Sequence, residues 1–461
     1  MRDLNCFKAY DIRGRLGPDL DAGIARRIGA AFAQELGARR VVLGRDVRAS
    51  SNELAEAVAE GLMSCGAEVL DLGLCGTEEV YCATALQEAC GGIMVTASHN
   101  PIDWNGMKLV ARGSAPLSPE TLGAIRRRAE ALAEVPPPAG GAARRALPEA
   151  RAAYVARVLS FADPATLGPL HIVADAGNGA AGPSFDAIAA ALEAAGAKLR
   201  ITRIHHDPDP RFPNGFRNPF LPGNRHATAE AVRKAGADLG LAWDGDFDRC
   251  FFFDHTGAFI DGEYLVALLA EAFLARDPGA AIVHDPRVVL ATTATVARAG
   301  GRAVQSRTGH AFLKQAMRDT GAVYGGEMSA HHYFRDFFCC DSGMIPWLLV
   351  AGLIGRKGKP LADLVGQLRA DYPSSGEINF RLDDPAGAVA RVEAHFAPQA
   401  LSRDDADGLS LTFAEWRFNL RSSNTEPLLR LNVEARGDAD LVARRVAELG
   451  ALIGVPPASD H

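Results

Sequence analysis

The sequence predicts an α/β protein built from three similar units and closed by a small α+β tail. Two patterns carry that expectation. One strand–helix–strand phrase occurs three times along the chain, and its C-terminal part switches to period-two alternation. The length of 461 residues suggests about three domains, or four small ones, at roughly 150 residues each.

The repeated phrase is an apolar strand, a short polar loop, an Ala-rich helix, a Gly-Ala-like stop and a second strand. The first copy starts at Arg40-Val41-Val42-Leu43-Gly44 and ends at Cys65-Gly66-Ala67-Glu68-Val69-Leu70. The second runs from Leu170-His171-Ile172-Val173-Ala174 to Ala195-Gly196-Ala197-Lys198-Leu199. The third runs from Ala281-Ile282-Val283-His284 to Gly300-Gly301-Arg302-Ala303-Val304. Uninterrupted apolar strands separated by helices are the mark of sheets covered on both faces. Glycine just past each helix supplies a left-handed cap. In the tail, Trp416, Phe418 and Leu420 alternate with Arg417, Asn419 and Arg421, and Leu429, Leu431 and Val433 with Arg430, Asn432 and Glu434. That period predicts half-exposed strands. Val442, Val446, Leu449 and Ile453 fall at helical spacing. Linkers are expected at Val135–Gly141 and in the turn-rich stretch Tyr372–Gly376, and a long surface loop at His206–Pro222. The expected domains are 1–147, 148–254, 255–370 and 371–461.

Composition narrows the function classes. There are 49 basic and 56 acidic residues, a net charge of −7, which argues against a dedicated nucleic-acid binder. Hydrophobic residues are 48% and charged residues 23%, enough for a sizeable core. The first residues lack the apolar centre of a signal peptide, and the apolar run Met344–Ile354 is too short to span a bilayer. No membrane partner is expected, and the location expected is cytoplasmic. The eight cysteines form no Cys-x-x-Cys pair, so reduced cysteines are expected rather than a disulfide framework or zinc site.

Five segments carry potential chemistry. The sharpest is Asp244-Gly245-Asp246-Phe247-Asp248-Arg249, after the apolar stretch Leu239–Trp243. Three carboxylates at alternate positions repel one another unless a cation sits among them, and hard oxygen donors suit Mg²⁺ or Ca²⁺. An EF-hand reading fails, because Arg249 stands where Gly is needed and His255 where Glu is needed. A solvated acidic turn is the bland alternative. Thr96-Ala97-Ser98-His99-Asn100-Pro101 puts Ser98 on a bend, open to nucleophilic or phosphoryl-carrier use, although such a sequence is more often only a turn. Asn105-Gly106-Met107-Lys108 offers that loop a cation. Arg421-Ser422-Ser423-Asn424-Thr425-Glu426-Pro427 has the donors of a phosphate cradle, or is a polar hairpin loop. Glu327 and Ser329 in Gly326–His332 could pair with vicinal sugar hydroxyls; metal ligation by His331 or His332 is disfavoured by their spacing. Lys8-Ala9-Tyr10-Asp11-Ile12-Arg13-Gly14 places Arg13 where it could reach an anion. Gly177-Asn178-Gly179-Ala180-Ala181-Gly182 matches a dinucleotide fingerprint but lacks a well-placed acidic partner, so a tight strand-to-helix turn is expected there.

Taken together, and in this order, the five segments resemble those of the α-D-phosphohexomutase superfamily, over essentially the whole chain. Flanking stretches such as Asn105–Leu109 and Phe334–Phe337 are similar to its phosphomannomutase branch. The resemblance implies three similar mixed-sheet α/β domains and a C-terminal α+β domain around a central cleft. It implies an isomerase that interconverts mannose 6-phosphate and mannose 1-phosphate through phosphoserine and a 1,6-bisphosphate. A dual or glucose-preferring phosphoglucomutase and a phosphoglucosamine mutase stay open, as does a non-catalytic sugar-phosphate-binding protein. The implied cofactors are Mg²⁺ and hexose 1,6-bisphosphate as activator; the implied partner is a hexose phosphate, with no nucleic acid or membrane and no oligomeric state indicated. By resemblance, Ser98 is the phosphoserine and shares Mg²⁺ with Asp244, Asp246 and Asp248. Arg13, Lys108 and Arg249 neutralise the moving phosphoryl group, with Lys108 also a candidate acid/base. His99 supports the serine loop and His310 is a proton-transfer candidate. Tyr10, Arg287, Glu327, Ser329 and His331 face substrate, and Arg421, Ser423, Asn424 and Thr425 grip the other phosphate. Relatives often carry Lys where Arg287 stands, which leaves its role open.

Overall fold

The computed structural model describes residues 4–138, 140, 142–215, 218–422 and 428–458. Packing divides the chain into two units. The first comprises residues 1–220, 224–258 and 333–357, and the second 221–223, 259–332 and 358–461.

The first unit opens with a six-stranded mixed sheet. Its strands lie in the order Ile12–Arg15, Trp104–Ala111, Gly91–Val95, Arg40–Arg45, Glu68–Leu74 and Arg144–Ala146. Arg40–Arg45 runs parallel to both neighbours, whereas Trp104–Ala111 is antiparallel to both of its own. Helices Ala22–Leu36 and Ser51–Ser64 pack closely on this sheet. Glycine makes their approach possible: a Cβ on Gly61 would stand 2.0 Å from the carbonyl oxygen of Arg26, and one on Gly29 2.4 Å from that of Val58. Phe32, Val41, Val58 and Ile93 fill the space beneath.

A second sheet of this unit orders strands Cys250–Asp254, Leu239–Trp243, Leu170–Asp175 and Leu199–Ile204. Leu239–Trp243 and Cys250–Asp254 form an antiparallel hairpin whose connection is the Asp244–Arg249 loop. The Gly177–Gly182 stretch is a turn from strand Leu170–Asp175 into helix Ala181–Ala194, as expected. The apolar run around Met344 becomes the buried helix Ile345–Lys357, with Pro346 in its first turn, where the missing N–H costs no intrahelical bond.

In the second unit, parallel strands Arg302–Gln305, Ala281–His284 and Tyr324–Gly326 carry helices Gly262–Arg276, Leu290–Arg298 and His310–Thr320. An antiparallel sheet follows, ordered Ser374–Arg381, Leu428–Ala435, Trp416–Ser422, Leu409–Thr412 and Ser402–Asp404. Helices Pro385–Phe396 and Ala439–Ile453 bury Phe396, Phe418, Leu431 and Leu449 against it.

Two sequence expectations need correction here. The tail strands are not half-exposed: Arg417, Asn419, Asn432 and Glu434 are buried along with their apolar neighbours. Polar partners explain it. Arg417 donates to the Pro286 carbonyl and to Glu434, and Glu434 accepts the N–H groups of Val289 and Leu290 at the start of helix Leu290–Arg298. The turn-rich Tyr372–Gly376 stretch is also already strand from Ser374, with a bulge before Glu377 and Gly376 at φ +66°.

Candidate functional site

Ser98 follows the end of strand Gly91–Val95 by three residues and sits at φ +50°, in the left-handed region. Its hydroxyl donates to Asp244 Oδ2 at 2.7 Å, and His99 Nδ1 lies 3.2 Å from the same oxygen atom of the serine. Asp244 Oδ2 also accepts from Arg249 Nε at 2.9 Å and Nη2 at 2.7 Å. The hairpin loop therefore brings one carboxylate, one guanidinium and the serine hydroxyl to a point.

Carboxylate oxygens of Asp244, Asp246 and Asp248 lie within 4.8 Å of one another, and all three residues are buried. Burial, partly offset by Arg249, raises the Asp244 carboxyl above its ordinary pKa. Among the described residues, Oδ1 of Asp244 and Oδ1 of Asp246 have no hydrogen-bond partner. Buried, partnerless carboxylate oxygens converging from alternate positions of one loop fit a hard divalent cation.

Cations of the protein surround the trio. Lys108, on strand Trp104–Ala111 and 4% exposed, donates to Asp246 Oδ2 at 2.7 Å and to Asp248. Burial would lower its ammonium pKa, but Asp246 and Asp248 outweigh it and the net shift is upward. Lys108 is thus held charged. Arg13 donates to Asp11 at 3.0 Å, to the Ala97 carbonyl at 2.8 Å and to Asn100 Oδ1 at 2.5 Å, so it braces the serine loop from the first strand. Tyr10, half-buried, lies within electrostatic reach of Arg13.

Sequence reasoning missed several supports. Thr77 opens helix Thr77–Leu86, and its hydroxyl donates to Asp246 Oδ2 at 2.5 Å while its N–H donates to the Asp246 carbonyl at 3.1 Å. Asp46 and Arg48 follow strand Arg40–Arg45 and bond the serine loop. The only signal for the last pair is charge in the loop after an apolar strand, in Gly44-Arg45-Asp46-Val47-Arg48.

The second unit gathers a separate set of side chains. Glu327 Oε1 accepts the Gly309 N–H at 2.9 Å, one residue before His310 opens its helix. His331 Nδ1 lies 3.5 Å from Glu327 Oε2 and 3.0 Å from Ser329 Oγ. Arg287 binds Asp285, lies 3.4 Å from Glu377 and 3.7 Å from Glu327. Glu377, another residue the sequence did not single out, also accepts from Arg421 Nη2 at 3.0 Å and lies 3.6 Å from Arg430. Burial opposes its charge, but these three arginines hold its carboxyl below the ordinary pKa. Ser423, Asn424 and Thr425 lie outside the described residues.

Known proteins match this chain throughout. Profiles described as phosphoglucomutase/phosphomannomutase alpha/beta/alpha domains I, II and III match residues 4–135, 152–257 and 261–372, and the profile of the C-terminal domain matches 377–451. A phosphomannomutase of Salmonella montevideo is 56% identical over 456 residues, covering 98% of this chain and 100% of that protein. The phosphomannomutase of Escherichia coli K12 is 53% identical over 454 residues, with coverage of 98% and 100%. A crystal structure of a phosphoglucomutase/phosphomannomutase family protein from Burkholderia thailandensis superposes with a TM-score of 0.87 at 31% identity, over 99% of this chain and 100% of that one. An N-acetylphosphoglucosamine mutase of Aspergillus fumigatus, solved in complex with GlcNAc-6P and magnesium, shares the fold at a TM-score of 0.62 and 16% identity, over 98% and 96%.

Proposed function

Since this chain belongs to the phosphoglucomutase/phosphomannomutase family and is thereby an isomerase, we propose that it interconverts mannose 6-phosphate and mannose 1-phosphate by passing a phosphoryl group through Ser98. The observation that carries the proposal is the contact of the Ser98 hydroxyl with Asp244, inside the buried carboxylate trio. The sugar assignment is supported by the names of relatives above half identity. The fourfold division 1–147, 148–254, 255–370 and 371–461 is supported by the order of the four profile matches.

Asp244, Asp246 and Asp248, with an oxygen on Ser98, would hold Mg²⁺, the ion in the Aspergillus complex. When bound, the ion supplies charge neutralisation on the phosphoryl oxygens. The chain's own residues do the rest. The substrate's free sugar hydroxyl attacks the phosphorus of phosphoserine. Its proton passes to a base of the site, for which His310 is the candidate, the P–Oγ bond breaks, and a 1,6-bisphosphate forms. After the bisphosphate turns, Ser98 Oγ attacks the phosphorus of its other phosphoryl group, the P–O bond to the sugar breaks, the departing oxygen takes the proton back from that base, and the second sugar phosphate leaves. Arg13, Lys108 and Arg249 offset the equatorial charge, which is where protein groups contribute most in phosphoryl transfer. Lys108 serves as a cation and as a candidate general acid/base beside the moving phosphoryl group. His99 steadies the Ser98 oxygen.

In the second unit, Glu327 and Ser329 bind sugar hydroxyls, with His331 fixing Ser329. Arg421, with Ser423, Asn424 and Thr425, grips the phosphate that stays. Arg287 is fully engaged by Asp285 and Glu377, so its part is to hold the Arg421 neighbourhood together, with substrate contact secondary. Hexose 1,6-bisphosphate primes the unmodified serine. The product feeds GDP-mannose formation in the cytoplasm; no helix of the described residues is long and apolar enough to cross a membrane.

Turnover of mannose 1-phosphate, glucose 1-phosphate and glucosamine 1-phosphate with Mg²⁺ and a trace of glucose 1,6-bisphosphate tests the reading. The highest kcat/KM is expected for mannose 1-phosphate. Preference for another sugar overturns the substrate, and no turnover of any overturns the activity.

A further inference from the structure

The loop that presents Ser98 is tied down by a residue to which the reaction above gives no part. Arg48 lies three residues beyond strand Arg40–Arg45 and is 3% exposed. Its Nη1 donates to the carbonyls of Pro101 at 2.7 Å and Trp104 at 3.0 Å, and its Nη2 to those of Ser98 at 3.0 Å and Asn100 at 2.6 Å. One planar guanidinium therefore serves three carbonyls of the serine loop and a fourth at the first residue of the strand that follows it. Three of those carbonyls lie in the loop between strands Gly91–Val95 and Trp104–Ala111, outside any ladder, and that of Ser98 is buried, where a backbone acceptor needs a donor. A rigid fork meets that need at fixed geometry, which a lysine ammonium cannot.

Asp46 braces the fork. Its Oδ2 lies 3.4 Å from Arg48 Nε and accepts the Thr96 hydroxyl at 2.8 Å. Thr96 Oγ1 in turn accepts the Ser98 N–H at 2.8 Å. Asp46 Oδ1 takes the Ser51 hydroxyl at 2.5 Å and the Arg48 N–H at 3.0 Å. Both backbone polar groups of Ser98, its N–H and its C=O, thus lead to one buried ion pair. Ser98 needs such restraint. Its φ of +50° is a conformation that a non-glycine residue keeps only where its surroundings over-determine it.

We propose that Arg48, braced by Asp46, is a positioning residue that fixes the left-handed backbone of Ser98 and so aims its Oγ for phosphoryl transfer. This rests on the reading of Ser98 as phosphoryl carrier. Arg48 acts through geometry and not through charge, because Asp46 offsets its charge and its four Nη–H groups are spent on carbonyls. A shift of about 1 Å at a reacting atom costs on the order of 100-fold in rate.

Arg48→Lys keeps the charge and loses the fork. Thr96→Val keeps the shape and cuts the link from Asp46 to the Ser98 N–H. Each full-length variant, with Mg²⁺, is mixed with glucose 1,6-bisphosphate, and Ser98 phosphorylation is followed by quench and intact mass. Binding of mannose 6-phosphate is measured by calorimetry. Arg48→Lys is expected to phosphorylate roughly 100-fold more slowly, and Thr96→Val roughly 10-fold, both with Kd within about twofold of the parent. A parental phosphorylation rate in Arg48→Lys overturns the proposal, as does a parallel loss of rate and affinity. If Arg48→Lys does not fold, Thr96→Val decides alone, and a parental rate there overturns it. Ser98→Ala separates the two claims: a phosphoryl group still acquired by that variant removes the phosphoserine reading itself.

Discussion

A single buried carboxyl makes the pH behaviour of the second unit predictable. Glu263, at the start of helix Gly262–Arg276, is pushed up to about 8, first by burial and then by Asp261. Ser374 hydrogen-bonds it, and Glu434 adds further repulsion. The folded chain therefore keeps a proton that the unfolded chain releases near the ordinary value of 4.5. The stability that protonated Glu263 permits is whole below that ordinary value. It falls as pH rises through the window up to about 8, by at most ~1.4 kcal/mol per pH unit. Glu263→Gln removes this slope. Its melting temperature is expected to match the parent near pH 4.5 and to exceed it increasingly toward pH 8; a difference that does not change with pH contradicts the assignment. At the same scale, some chemistry was legible and some was not. The Asp244, Asp246 and Asp248 spacing exposes itself because like charges at alternate positions demand an explanation. Arg48 and Thr77 leave no such trace: they act on backbone atoms of a loop and on a carboxylate from distant parts of the chain, and a lone Arg or Thr reads as surface.

Among elements, the contact of helices Ala22–Leu36 and Ser51–Ser64 depends on a missing side chain. Gly61→Ala sets a Cβ 2.0 Å from the Arg26 carbonyl oxygen, a backbone atom that cannot swing away. Overpacking of this kind costs about 1–3 kcal/mol, so the melting temperature should drop although alanine favours helix. A melting temperature equal to or above that of the parent would show that the helices can part freely. In the tail sheet, Arg417→Met leaves Glu434 buried without its guanidinium, and breaking such a pair costs about 3–5 kcal/mol. Denaturant unfolding of the variant checks that figure. This sheet also shows where period-two reasoning stops. Alternation identified the strands Trp416–Ser422 and Leu428–Ala435, because side-chain direction alternates in any strand. It could not show that the polar face is covered, because the partners of Arg417 and Glu434 at Pro286, Val289 and Leu290 lie more than a hundred residues away in sequence.

For the whole molecule, the repeated strand–helix–strand phrase was legible because each copy repeats the same apolar pattern and glycine stop. The mixed character of the first sheet was implied only by the family resemblance and then found, since strand direction depends on pairing and not on composition. Ser98, the carboxylate trio and Lys108 lie in one packing unit, and Glu327, Ser329, Arg287 and Arg421 in the other. Chelation of divalent metal is expected to abolish turnover while leaving the melting transition largely in place, and added Mg²⁺ should restore activity; full turnover in EDTA contradicts the metal reading. Passage of the phosphoryl group through Ser98 is tested by intact-mass and peptide mapping after incubation with glucose 1,6-bisphosphate and Mg²⁺. One added phosphoryl group on Ser98 is expected, discharged by mannose 6-phosphate and absent from Ser98→Ala. A chain that turns over mannose 1-phosphate with Ser98 never modified, or with Ser98→Ala fully active, would contradict it.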